Sequence, residues 1–204
     1  MNAALLIHSI LLLGDSHLVG PMGHELVKLL DVKKVSINAS CGSTPATFFS
    51  GIGSPCGTWR KIEGLPTVET SKPFSETTLL SESLNRVSPH HIIVSLGTNL
   101  ATRCTKRKIR CYSDKEVLTQ IEKFLTLIRE RQIKCSWILS PPVTALRKED
   151  VTHVNEIIRD AVTKTCNTID AGAEGHTYPK KGGDGLHYFG TEAKKWAEII
   201  FKNI

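Results

Sequence analysis

Aromatic residues are scarce, at 6% of the 204 residues, and they are not interleaved with basic ones. That excludes a base-stacking platform for nucleic acid. The formal net charge of +6 is too small to point to nucleic acid, although it favours an acidic partner or surface. No apolar run is long enough to cross a bilayer, so no transmembrane segment is expected. Low-complexity tracts, heptad runs and internal repeats are missing. None of the six cysteines shows Cys-x-x-Cys spacing, and the histidines are scattered. No metal set is therefore visible, and neither metal nor other cofactor is expected.

What is present suits one globular domain spanning residues 1–204, with 40% hydrophobic and 23% charged residues around a single core. Ala3 to Leu13 could pass for the apolar part of a signal peptide. The stretch lacks a basic start, however, and runs straight into Gly14-Asp15-Ser16 with no small-residue cleavage site. Ser9 to Leu13 reads as the first strand, and Met1 to His8 as an appended stretch or the remnant of a leader.

Apolar and β-branched runs at Ser9–Leu13, Lys33–Asn38, His90–Leu96, Lys134–Ser140 and Thr168–Asp170 read as strands. Between and after them, Glu25–Leu30, Thr77–Val87, Lys115–Arg131, Lys148–Lys164 and Gly190–Phe201 have helical spacing. Ser113 or Asp114 is a candidate N-cap. The alternation predicts an α/β fold: a three-layer α/β/α sandwich around a central, mostly parallel, five-stranded sheet.

Residues 45–76 are rich in Gly, Pro, Ser and Thr and read as a long loop, a common seat of function. Trp59 and Arg60 could form one wall of a substrate cleft, or Trp59 could simply plug the loop onto the body. Asn38-Ala39-Ser40 matches a glycosylation acceptor, but its strand-end position argues against modification. A second loop carries Arg103, Lys106, Arg107, Lys108 and Arg110 beside Cys104 and Cys111. Cys41 and Cys56 flank the first loop, while Cys135 and Cys166 each start a predicted strand. An even count in nearby pairs favours disulfides and a periplasmic or extracellular location over a reduced, cytoplasmic one, with the connectivity open.

The candidate chemistry starts at Ser16. It follows an apolar strand that stops at Gly14, on a strand-to-helix turn at the sheet edge where open α/β folds bind ligands. Taken alone, this serine is either a helix cap or a nucleophile. Asp184-Gly185-Leu186-His187 lies in a Gly-rich loop before the last helix. Asp184 could fix the tautomer of His187, whose other ring nitrogen could take the proton of Ser16. A histidine ordinarily titrates near pH ~6.5, which suits a general base. The backbone N–H groups of Ser16 and Gly42 and the side-chain amide of Asn99 fall at strand ends and could bind an oxyanion.

Taken together, Gly14-Asp15-Ser16-His17-Leu18, Asn38-Ala39-Ser40-Cys41-Gly42, Gly97-Thr98-Asn99 and Asp184-x-x-His187 resemble, in order and spacing, the four blocks of the SGNH (GDSL-type) hydrolase superfamily. The resemblance implies a flavodoxin-like fold, Ser16 as nucleophile, His187 as base with Asp184 as its partner, and Gly42 and Asn99 completing an oxyanion hole with Ser16. Two positions depart from the family: Leu100 stands where Asp is usual, and His17 where Leu is common. His17 could touch substrate or brace the turn.

The implied activity is a carboxylic ester hydrolase working through an acyl-enzyme, with a carbohydrate or cell-wall O-deacetylase as the leading expectation. Its partner would be an acylated small molecule or glycan, anionic if drawn by the basic loop, and the expected state is a monomer. A lipid esterase or thioesterase would use the same residues beside an apolar groove built from Phe48, Phe49 and Ile52. An acyltransferase, or a non-catalytic module holding an acidic glycan, are the remaining alternatives.

Overall fold

The structure, a computed structural model, describes residues 9–30, 34–101, 112–179 and 183–204. In chain order the elements are β1 (Ser9–Gly14), α1 (Ser16–Val19), α2 (Pro21–Leu29), β2 (Lys34–Ser40), α3 (Thr47–Ser50), β3 (Ile52–Ser54), β4 (Thr58–Lys61), β5 (Val68–Thr70) and β6 (Phe74–Glu76). They continue with α4 (Leu80–Val87), β7 (His91–Ser95), α5 (Asp114–Glu130), β8 (Lys134–Ile138), α6 (Lys148–Val162), β9 (Asn167–Ile169) and α7 (Gly190–Lys202).

β1 is buried at every position because it pairs in parallel with β2 on one side and β7 on the other. Its side chains alternate between two cores, as a strand's two-residue period requires. Leu11 and Leu13 join α4, α5 and α6 on one face, while Ile10 and Leu12 join α2 and α7 on the other. Helices therefore cover both faces, giving the expected three layers. At the start of α5, Ser113 is the cap, forming a capping box with Glu116.

The sheet is wider than the sequence suggests. Among the described residues it has seven strands in the order β5-β4-β2-β1-β7-β8-β9. The five predicted strands form its parallel part, and β4 and β5 extend it antiparallel from the edge of β2. A separate pair, β3 and β6, comes from the same 45–76 segment read as loop. These strands span three or four residues each, too few for a period to show. β4 pairs with the edge of β2, whose N–H and C=O groups would otherwise lack partners, and β5 pairs with β4 in turn. β3 and β6 pair only with each other.

Two disulfides lie among the described residues. Cys135–Cys166 joins the start of β8 to the residue before β9, with Cα atoms 4.4 Å apart. Cys41–Cys56 closes the turn after β2 onto the loop before β4, with Cα atoms 5.4 Å apart. Cys104, Cys111 and the basic residues Arg103 to Arg110 lie outside the described residues. Asn38 is buried and its amide is bonded to Thr78 and Ser83, so it is no glycan acceptor in the folded chain. Among the described residues no helix is long and apolar enough to cross a membrane.

Leu12 sits at 0% exposure in the central strand. Truncation to Ala should cost about 2–5 kcal/mol, read as a lower denaturant midpoint at an unchanged m-value.

Candidate active site

The end of β1 sets the site. Gly14 is the last paired residue, and Asp15 caps α1 by accepting the His17 N–H on Oδ1 at 3.0 Å. Ser16 becomes the first helical residue, so its backbone N–H has no acceptor within the helix. Its side chain points toward the loop that precedes α7, where His187 Nε2 lies 2.8 Å from Ser16 Oγ. His187 Nδ1 lies 2.6 Å from Asp184 Oδ2. A carboxylate only accepts, so Nδ1 carries the proton and Nε2 is left to accept from the serine hydroxyl. The other oxygen of Asp184 accepts the backbone N–H groups of His187 at 2.7 Å and Leu186 at 2.9 Å. Partial desolvation pushes this carboxyl up, but those two N–H groups and the imidazole outweigh it and hold it well below the usual carboxylate range.

This loop is anchored at both ends. The Gly185 carbonyl accepts from Thr144 N at 2.8 Å and Ala145 N at 2.9 Å, after β8. Tyr178 Oη accepts the Gly185 N–H at 2.8 Å and donates to the His187 carbonyl at 3.2 Å. Gly185 has φ +81°, and a Cβ there would meet Thr144 Oγ1 at 3.0 Å, so glycine permits both the turn and the close approach.

Gly42 and Asn99 come to the same edge from β2 and β7. Gly42 has φ +75°, a conformation that turns the chain sharply after β2. Cys41 N donates to the Gly57 carbonyl at 2.9 Å, and Ser54 Oγ donates to the Cys41 carbonyl at 3.1 Å. With the disulfide, these fix the turn. Ser43 Oγ donates to the Gly14 carbonyl at 3.1 Å, linking that turn to the end of β1. Asn99 Nδ2 donates to the Ser43 carbonyl at 3.0 Å and to Asp15 Oδ2 at 3.3 Å. Both its amide hydrogens are thus engaged, and the longer contact, to Asp15, is the one an oxyanion could compete for. Leu100 is fully buried in the core beneath it.

Three candidate substrate contacts sit elsewhere. His17 is buried: Nε2 shares a hydrogen bond of 3.2 Å with Thr98 Oγ1, and the ring packs edge-on to Trp196 at 4.9 Å. Burial pushes its pKa down to about 3, so it stays neutral. Trp59 and Arg60 are consecutive on β4 and face opposite sides of the sheet. Trp59 is buried and stacks on His24 at 4.2 Å. Arg60 is also buried, donating to the Pro66 carbonyl and Thr78 Oγ1. Neither forms a cleft wall. The groove of Phe48, Phe49 and Ile52 does not assemble either: Phe48 is in the core, Phe49 lies under Lys123, and only Ile52 is exposed.

Beside Gly42 and Asn99 lies a cavity of about 640 Å³. Thr44, Thr47 and Ser50 line it together with Ile52, Pro55 and Tyr112. Among the described residues its lining carries no charged side chain, and it sets the hydroxyls of Ser43, Thr44, Thr47, Ser50 and Tyr112 among a larger apolar share from Ala46, Ile52 and Pro55. Sequence reasoning did not assign roles to Asp15, Ser43, Thr98 or Tyr178. Asp15 and Thr98 stood inside the quoted motifs, but only distance shows what they bond.

No protein-family model matches the sequence, and no curated protein matches it. Solved structures do match in fold. An acetyl xylan esterase has a TM-score of 0.68 at 11% identity, covering 96% of this chain and 99% of that one. A GDSL-like lipase from Bacteroides thetaiotaomicron gives 0.63 at 12% identity, with coverage of 96% and 85%. A carbohydrate esterase family 2 enzyme with its carbohydrate-binding domain, from Corynascus thermopiles (Myceliophthora fergusii), gives 0.57 at 17% identity, with coverage of 96% and 64%. These likenesses establish the fold.

Asp15 is fully buried, and desolvation raises its pKa from 3.8 to about 7 against the backbone bonds that lower it. Between those values the folded chain holds a proton that the unfolded chain has released. Stability therefore falls as pH rises through that window, and the loss is complete above it. Asp15→Asn removes this term. Denaturation midpoints measured at about pH 4, 5.5 and 7 should show the parent losing ground to the variant as pH rises. A constant difference would mean that Asp15 titrates at its ordinary value.

Proposed function

We propose that this chain is a serine esterase of the SGNH/GDSL type, acting through an acyl-enzyme on an acylated carbohydrate, with O-deacetylation as the leading reaction. The observation that carries the reading is the Ser16–His187–Asp184 chain, with hydrogen bonds of 2.8 and 2.6 Å, at the edge where β1, β2 and β7 end. The four motif blocks and the shared fold of esterases support it.

In this reading Ser16 Oγ attacks the ester carbonyl carbon as its proton passes to His187 Nε2. The carbonyl oxygen becomes an oxyanion held by the N–H groups of Ser16 and Gly42. Asn99 joins them by turning toward it the hydrogen now aimed at Asp15. Each such donor is worth about 3 kcal/mol in the transition state. Asp184 stabilises the imidazolium and keeps Nδ1 protonated. The C–O bond to the alcohol breaks, and His187 returns its proton to the departing oxygen. Water then repeats the sequence: His187 takes its proton, its oxygen attacks the acyl carbon, and Ser16 is released with the free acid.

The carbohydrate preference rests on the esterases of carbohydrate among the fold neighbours, and on the hydroxyls of Ser43, Thr44, Thr47, Ser50 and Tyr112 in the cavity beside Gly42 and Asn99. The net charge of +6 favours an anionic glycan. The unassembled phenylalanine groove counts against a lipid substrate. The two disulfides support a periplasmic or extracellular location.

The test is hydrolysis of p-nitrophenyl esters of graded chain length, and of acetylated xylan, by the parent and by Ser16→Ala. Turnover should favour acetyl and fall by a factor on the order of 10⁴–10⁶ in the variant. Equal activity in both would remove Ser16 from the chemistry, and a preference for long chains would replace the carbohydrate with a lipid.

A further inference from the structure

Two turns carry the proposed nucleophile and the amide beside it: residues 14–17 after β1 and 97–99 after β7. The strands themselves pair up to Gly14 and Ser95, and the Asp15 N–H reaches the Ser95 carbonyl at 3.1 Å. Beyond that level two side-chain bonds cross the gap, one on each side of Ser16. Asp15 accepts from Asn99 at 3.3 Å, and His17 Nε2 meets Thr98 Oγ1 at 3.2 Å. His17 and Thr98 are 3% and 4% exposed, so water does not compete for their bond.

We propose that His17 is a positioning residue: through Thr98 it ties the Ser16 turn to the Asn99 turn, so that nucleophile and oxyanion-side amide move as one body. The assignment rests on the reading of Ser16 as nucleophile. Its physical basis is the chemistry of position 17. An aliphatic side chain there would fill the space against Trp196 but leave the Thr98 hydroxyl buried without a partner. Asn99 would still hold the Ser43 carbonyl, but the direct side-chain link between its turn and the Ser16 turn would be reduced to the longer contact with Asp15. Transition-state stabilisation is steep in distance, and a misplacement near 1 Å can cost about 100-fold. Facing His17 are Trp196, Thr98 and His187, whose ring lies 5.5 Å away. His17 stays neutral at working pH, so its action is geometric.

The experiment compares kcat and KM for p-nitrophenyl acetate in the parent and four variants: His17→Leu, His17→Gln, Thr98→Val and the double His17→Leu/Thr98→Val. Melting temperatures are recorded for each. His17→Leu and Thr98→Val should each lower kcat about tenfold with KM within about twofold. The double variant should be no worse than either single one, because both remove the same bond. His17→Gln, which keeps a hydrogen-bonding nitrogen near the Nε2 position, should recover most of the rate. The kcat–pH profile should keep its shape throughout.

Unchanged kcat in a folded Thr98→Val, additive losses in the double variant, or a His17→Gln as slow as His17→Leu would overturn the tie; the last would assign the effect to ring packing on Trp196. Failure of the underlying reading looks different. The parent would turn over no ester and its Ser16 would resist a fluorophosphonate, and the catalytic role of the tie would fall with it.

Discussion

Gly14 pairs with Ala39 on one side and with Ser95 on the other, so β1, β2 and β7 stop at one level. Each strand hands its chain to a turn there, and the turns carry Ser16, Gly42 and Asn99. The convergence follows from burial. A strand apolar from Ile10 to Leu13 with neighbours on both sides cannot slip by one residue without turning Leu11 and Leu13 out of one core and Ile10 and Leu12 out of the other. The geometry at the edge is therefore set by packing many ångströms away from it.

Polar groups at that edge are braced by one another. Ser43 holds the Gly14 carbonyl, Asn99 holds Ser43 and Asp15, and Asp15 caps the helix that begins at Ser16. A carboxyl kept fully out of water is costly, as its raised pKa shows. The remaining members approach from outside the parallel sheet. His187 and Asp184 arrive on a loop pinned to residues after β8 through the Gly185 carbonyl and braced internally by Tyr178, and the Gly42 turn is pinned by the Cys41–Cys56 bridge. Rigid strands and cross-linked loops together fit the demand for preorganised groups in acyl transfer.

The fold was legible from apolar runs alternating with helical spacing, and the candidate site from short motifs at strand ends. What stayed hidden was of two kinds. Strands β3 to β6 lay in a segment with no period long enough to read: β4 and β5 extend the edge left by β2, while β3 and β6 pair with each other. Trp59 and Arg60 suggested a cleft wall by being neighbours in sequence. On a strand, neighbours face opposite sides, and both side chains are spent on the interior.

By itself the sequence determined which segments would be strands or helices, and which residue types would stand at the strand ends, because burial periodicity and turn chemistry are local. Tertiary structure alone decided which polar groups bond to which. It brought Thr98 to His17, Asn99 to Asp15 and Thr144 to Gly185, and it settled which strands complete the sheet. Those choices depend on distances between segments far apart in the chain, and a hydrogen bond a few tenths of an ångström too long is a different interaction.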